Sequence, residues 1–231
     1  MESLRRLAVY QGVTYPDYEI DFYTSNTYSK RFRDRILKPR HDSSNYLAYN
    51  FCLKGSERHV RQHKVLAETF YDLLPKSPLV SHYGLQIGRD RHELLTPTGF
   101  TFICSQVCPD HIDGNKTNNH HSNLMIATQH ENLIKCGPFK GKRYKGAYKQ
   151  SKNGNTYNRM QLEFTNILDK DGKRFFASKF FKTEEAAALG YNTVLEKSLL
   201  TIWGSDLGPK LYDFAYKNVI ETPIQEQLIL R

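Results

Sequence analysis

DHIDGNKTNNHHSNLMIATQHEN, residues 110–132, joins an Asp-His pair to a turn-rich loop, a short apolar run and a helix start. Asn123 to Thr128 is too short for a helix and follows a cluster of turn formers, which predicts a strand. Thr128 with Glu131 three residues later is a capping box: each side chain can satisfy one orphan N–H, so a helix starts at Thr128 with Asn132 in its first turn. Upstream, Thr101 to Val107 is β-rich and ends at Cys108-Pro109, delivering Asp110 and His111 at a strand end. Gly114, Asn115, Asn118 and Asn119 suit the tight or left-handed backbone of the connecting loop. The expectation is a ββα unit that gathers Asp110, His111 and Asn132.

This segment resembles the HNH, or ββα-metal, nuclease motif, above all in phage intron-encoded homing endonucleases. Asp110-His111, Asp113-Gly114-Asn115, Asn118-Asn119, Asn123-Leu124 and Glu131-Asn132 stand in the family's order and spacing. The resemblance implies His111 as general base, Asp110 and Asn132 as ligands of one divalent cation, and Asn123 as a brace that orients the His111 ring. The chemistry agrees. Phosphodiester hydrolysis needs a base near neutrality and a cation to offset charge on the phosphate, and histidine has the pKa for the first task. A carboxylate and an amide oxygen suit Mg²⁺ (or Mn²⁺) better than zinc. An Asn/Asp/Gly/His-rich loop is by itself often only a solvated turn; the capped helix and Asn132 weigh against that here. His120, His121 and His130 read as loop or helix-surface residues.

The N-terminal part, residues 1–58, offers β-prone pieces at Tyr18–Tyr23, Arg35–Lys38 and Tyr46–Leu53, the last with Leu47, Tyr49, Phe51 and Leu53 on one core face. Tyr15-Pro16, Tyr18-Glu19-Ile20 and Ile36-Leu37-Lys38-Pro39 resemble the nuclease-associated module that precedes many phage HNH domains. The usual Gly-Arg-Val is replaced by Thr27-Tyr28-Ser29. Lys30, Arg31, Arg33 and Arg35 are then either DNA contacts or a solvated basic loop. Residues 59–74 show helical periodicity with His63 in a buried or supporting role. Residues 75–100 form an insertion read as a hairpin, which closes a nuclease core of 59–137.

Charge singles out the remainder. The chain carries 33 Lys/Arg and 24 Asp/Glu, a net +9, and residues 139–182 hold 12 basic against 3 acidic side chains, 12 − 3 = +9, so all of the excess lies there. A polyanionic partner is implied. Strands at 144–149, 157–164 and 173–181, turns at Asn153-Gly154 and Asp171-Gly172, and a helix capped by Thr183 complete a small domain. YKGAYK and FFKTEEAAALGYN within it resemble the Apetala-type DNA-binding domain, although the family's central-strand Trp is absent, with Tyr157 nearest. Alternation puts Tyr157, Arg159 and Gln161 on the outer face as DNA contacts, with Lys145, Lys149, Lys173, Arg174 and Lys179 on phosphates. Beyond Glu196 the chain reads as irregular, with Trp203 packing inward.

The expected fold is therefore modular α+β: an N-terminal antiparallel sheet, a ββα-metal nuclease core, and a three-stranded sheet plus helix over 138–231. The function expected is a metal-dependent HNH homing endonuclease acting on double-stranded DNA as a monomer. The alternative is a sequence-specific DNA-binding regulator with an inactive HNH fold; an RNA-binding protein would instead show exposed aromatics on its sheet. No apolar run is long enough for a membrane span and the N-terminus lacks a signal peptide's core, so a cytoplasmic, phage- or mobile-element-encoded protein in a bacterial host is expected. Cys52, Cys104, Cys108 and Cys136 are expected as thiols; a structural zinc on the last three is not expected without a second close pair.

Overall fold

The computed structural model describes residues 3–152 and 155–220; the expected Asn153-Gly154 turn lies outside them. The chain folds as two compact units, residues 3–89 with 106–129 and residues 90–105 with 130–220. Residues 3–58 and the helix that follows thus share one unit instead of forming separate modules. The result is α+β with several antiparallel sheets and few helices. No helix among the described residues is long and apolar enough to cross a membrane.

In the first unit, β1 (Arg5–Tyr10), β2 (Val13–Asp21), β3 (Thr27–Ser29) and β4 (Arg35–Ile36) make one sheet in that order. A second comprises β5 (Arg40–His41), β6 (Leu47–Leu53) and β7 (Ser56–Arg61). Tyr49 and Phe51 are buried as the alternation requires, while Leu47 and Leu53 are only half-buried. Tyr18 ties the sheets together: its ring stacks on Phe51 at 4.2 Å and its hydroxyl accepts from the Cys52 N–H at 3.0 Å. The helix expected over 59–74 is shorter, α1 (Gln62–Thr69), because residues 59–61 belong to β7, with β-branched Val60 opposite Tyr49. Val65, Leu66 and Ala67 of α1 are fully buried.

The 75–100 segment holds a short helix, α2 (Pro78–Tyr83), that the sequence reading missed, and β8 (His92–Leu95). Leu85–Ile87 is not a strand. The hairpin is instead β8 with β9 (Thr101–Cys104), and both belong to the second unit. This separates two strands where one was expected over 101–107. The Asp-His pair lies inside a further strand, β10 (Val107–His111), paired antiparallel with β11 (Leu124–Thr128). Pro109 is tolerated there for a specific reason. Its partner Ile126 sends its N–H to the Pro75 carbonyl and its carbonyl to the Ser77 N–H, both away from β10. Pro109 therefore occupies a non-hydrogen-bonded pair, where a missing N–H removes no ladder bond.

The chain runs from β11 directly into α3 (Gln129–Lys135), as the capping sequence predicted. The second unit then adds β12 (Ala147–Lys152), β13 (Asn155–Leu168) and β14 (Arg174–Phe181), with β13 central and also paired to β9, so the sheet has five strands. Thr183 caps α4 (Glu184–Phe214) by accepting the Ala186 N–H at 3.0 Å. The irregular tail expected beyond Glu196 is instead helical to Phe214, broken at Gly204 (φ 72°, ψ −176°). The chain folds back there, since a Cβ on Gly208 would lie 2.8 Å from the Leu200 Cα, which a continuous helix would hold two turns away. Trp203 is fully buried against Phe102, ring centroids 5.2 Å apart.

The close approach at Gly208 is backbone against backbone and cannot relax by a rotamer change. Gly208→Ala is expected to destabilise the protein by about 1–3 kcal/mol through overpacking, outweighing the helix-propensity gain of about 1 kcal/mol, read as a lowered urea midpoint with unchanged slope.

Candidate active site

His111 ends β10, and alternation turns it inward with Val107 and Pro109, leaving it 5% exposed. Its Nε2 lies 2.8 Å from Asn119 Oδ1. The amide of Asn119 donates from Nδ2 to Gln62 Oε1 at 2.9 Å, and Gln62 donates from Nε2 to the Ser25 carbonyl at 2.6 Å. Ser25 closes the circuit by donating from Oγ to the Asn119 carbonyl at 2.7 Å. A backbone carbonyl can only accept, and this fixes every other role. Gln62 must present its nitrogen to Ser25 and its oxygen to Asn119; Asn119 must present nitrogen to Gln62 and oxygen to His111. His111 therefore donates from Nε2, and in its neutral form Nδ1 carries the lone pair. Reversing any amide would set donor against donor in a buried place, at a cost of about 1–3 kcal/mol.

Asn123 works on the loop. Its Oδ1 accepts the Asp113 N–H at 3.0 Å, and its Nδ2 donates to Asp113 Oδ1 at 2.9 Å and to the Asn118 carbonyl at 2.8 Å. It braces residues 113–118 as expected. The expected hold on the His111 ring falls instead to Asn119, whose place in a turn-rich loop predicts only a turn former. The Asn118 side chain, the Asn115 N–H and Asn123 together keep the Asp113 carboxyl below its ordinary range.

Three aromatic rings gather beside this chain. His63 lies 5.0 Å from His111 and 4.7 Å from Tyr46, and Tyr46 lies 6.1 Å from His111. Arg61 and Lys116 approach the Tyr46 ring at 4.4 and 4.9 Å. Asp42 anchors Arg61 at 2.7 Å; the Tyr46 N–H foremost, with Arg61 and the Ser44 N–H, holds its carboxyl down to about 2. Burial, and then the neighbouring His111 and Lys64, push His63 down to about 3, so it stays neutral and buried.

Asp110 leaves β10 on the opposite, half-exposed face from His111, and the Tyr46 phenol feels its charge. Asn132 is half-buried on α3, within the second unit. Among the described residues no three His, Cys, Asp or Glu side chains gather as a metal cage. A carboxylate such as that of Asp110 and an amide oxygen such as that of Asn132 are each hard donors of the kind Mg²⁺ takes. His130, expected at the helix surface, is 2% exposed among Phe102, Phe164 and Trp203; burial pushes it down to about 4, opposed by Asn166 at 3.0 Å.

The expected DNA contacts divide. Tyr157, Arg159 and Gln161 share one face of β13, whereas Lys149 pairs with Asn158 and Lys179 with Met160, which places both on the other face. Lys149, Lys173, Arg174 and Lys179 are exposed. Lys145 is not available for phosphates: its ammonium donates to the carbonyls of Leu133, Ile134 and Cys136 at 2.7, 2.8 and 2.6 Å, capping the C-terminus of α3. Burial pulls it down to about 8, which still leaves it charged at neutrality. Arg31 is exposed and paired with Asp17 at 2.7 Å, and Arg33 is exposed in a left-handed conformation after a 3-10 turn.

No family model matches the chain. It is similar to a protein of Acanthamoeba polyphaga mimivirus described as the uncharacterized HNH endonuclease L560, 29% identical over 154 residues, which spans 61% of this chain and 74% of that one. Among solved structures it is similar to the HNH homing endonuclease I-HmuI, described for DNA binding and cleavage, at 17% identity and a TM-score of 0.39, covering 86% of this chain and 91% of that chain.

The two buried histidines set an acid limit. An unfolded chain protonates histidine near 6.5, the folded one only near 3 at His63 and 4 at His130. Between these values the unfolded state binds more protons, so stability falls as pH drops below about 6.5. Asp42 adds a second loss, between about 4 and 2, as its carboxylate protonates. Thermal melts should show Tm declining from pH 7 to pH 5, with a shallower decline in His63→Leu.

Proposed function

We propose that the chain is an HNH-type endonuclease of the homing kind, hydrolysing phosphodiester bonds of double-stranded DNA in a metal-dependent reaction, with His111 as general base. The observation that carries this reading is the fixed tautomer of His111. The Ser25–Gln62–Asn119 chain holds the proton on Nε2 and leaves Nδ1 as the basic nitrogen, which is what activation of a water requires. As the ring takes a proton, Asn119 Oδ1 continues to accept from Nε2–H, so no side chain in the chain has to reorient.

Asp110 and Asn132 are the residues that would hold the cation, Mg²⁺ or Mn²⁺. When bound, such an ion offsets charge on the scissile phosphate and on the leaving oxygen. Asn123 positions the 113–118 loop next to the base. The basic residues 139–182, whose strands and helix resemble an Apetala-type domain, would hold the nucleic acid. The similarity to a mimiviral protein of HNH description supports the same reading and suits a mobile-element origin.

Supercoiled plasmid incubated with Mg²⁺ or EDTA tests the proposal. Metal-dependent conversion to open circle or linear DNA is expected, with the rate lowered about 10²- to 10⁴-fold in His111→Ala. Binding of a duplex without cleavage by either protein would favour a DNA-binding regulator. The hydrogen-bond chain gives a sharper test. In Asn119→Asp an anionic acceptor faces His111 Nε2 and favours the charged ring, so the acid limb of the pH–rate profile should move to higher pH with Asn119→Asp and be unmoved by a surface control such as Lys38→Ala.

A further inference from the structure

In the second unit, α4 covers one face of the β12–β13–β14 sheet: Met160, Leu162 and Phe164 are 0, 3 and 4% exposed. The other face is unusual in what it shows to water. Directly paired residues point to the same side, and the register sets Tyr148 and Phe180 against Arg159, and Phe176 against Glu163. With Tyr157 on the same side of β13, four aromatic rings share the open face. Phe176 and Phe180 are 50% and 44% exposed, against 7% for their neighbour Phe181. A solvent face of an antiparallel sheet is ordinarily polar, and a patch of large apolar side chains marks a binding surface.

Cations are interleaved with the rings. Arg159 lies 5.8 Å from the Phe176 ring, its Nε donating to Ser178 Oγ at 2.8 Å, which pins the guanidinium to the sheet. Lys142 lies 6.0 Å from the Tyr148 ring. Tyr157 and Phe180 meet edge to face at 6.2 Å. The surrounding residues 139–182 carry the whole +9 of the chain. A second copy would bring an equally positive face and be repelled. Rings within a positive surround instead match a polyanion that offers flat apolar surfaces. Unpaired bases have such surfaces, whereas a duplex keeps its base faces inside the stack and shows only polar edges and methyl groups in its grooves.

We propose that this open face, whose exposed rings would stack RNA bases as readily, binds single-stranded DNA, the polymer on which the proposed function acts, stacking unpaired bases on Phe176, Phe180 and Tyr157 while Arg159 and Lys142 meet the backbone. The proposal rests on the reading of the second unit as a nucleic-acid-binding module and is independent of catalysis at His111, so it can fail or stand by itself.

Fluorescence anisotropy in EDTA, where no cleavage interferes, tests it with a short labelled oligothymidine, a duplex of the same length and oligouridine. The wild-type protein should bind oligothymidine at moderate salt, whatever its affinity for the duplex. Phe176→Ala with Phe180→Ala should weaken that binding by about 10-fold or more and change duplex binding less than twofold. Both side chains are exposed, so the variant should melt as the wild type does; Phe180→Trp supplies a second readout, its indole emission quenched by oligothymidine and not by duplex. Unchanged oligothymidine binding in the double variant, or an unquenched indole, would overturn the proposal. Tighter binding of oligouridine would overturn its assignment to DNA, and a dimer broken by the double variant would show the face to be a self-interface.

Discussion

The Ser25 carbonyl is the fixed point of the first unit. It has no hydrogen to give, and from that follows the orientation of Gln62, then of Asn119, then the proton position on His111. Each member comes from a different part of the chain: the loop after β2, the start of α1, the loop before β11 and the end of β10. The polarity of the site is thus a property of how these four elements pack. Since every member is buried, an inverted amide would meet its full desolvation cost instead of turning to water. The same burial keeps His63 neutral beside His111, so His111 faces no second positive ring near neutral pH.

Support for this arrangement comes from outside the hydrogen-bond chain. Pro109 sits where β10 has no ladder bond to lose, which lets the strand continue two residues further and turn His111 inward. Asp42 gathers the Tyr46 N–H, the Ser44 N–H and Arg61, and so fixes Tyr46 against His63. In the second unit the corresponding role belongs to Lys145, whose ammonium closes three carbonyls at the end of α3. A cation there complements the negative end of the helix dipole, and its removal from the surface means that the charge excess of 139–182 is not all available to a partner.

What was legible in the sequence was governed by local rules. The helix beginning after Thr128, the cap by Thr183, the inward Met160, Leu162 and Phe164 and the strands around them follow from capping chemistry and from period-two alternation, which act over a few residues. The role of Asn123 at the 113–118 loop rests instead on the resemblance of residues 110–132 to the HNH motif, and its bonds reach only across a tight turn. Where sequence reading and structure differ, two local signals competed. Residues 59–61 satisfy a helical period and a strand register equally, and pairing with β6 won. Residues 101–107 read as one strand, and the break at Ser105-Gln106 that sends its two ends to different sheets has no Gly or Pro to announce it.

Local sequence is enough to establish that residues 110–132 form a strand-loop-strand-helix run with an Asp-His pair in it, that the net positive charge is confined to 139–182, and that β13 has two unlike faces. Long-range packing settles which side chain holds His111, that His130 is buried, that Lys145 caps a helix, and that Phe176 and Phe180 share one sheet face with Tyr157. The reason is one of range. Capping, turns and alternation are set by neighbours within about one turn or one strand pair, whereas Asn119 meets Ser25 across 94 residues and Gln62 across 57. Contacts at that separation leave no periodic trace in the residues that make them.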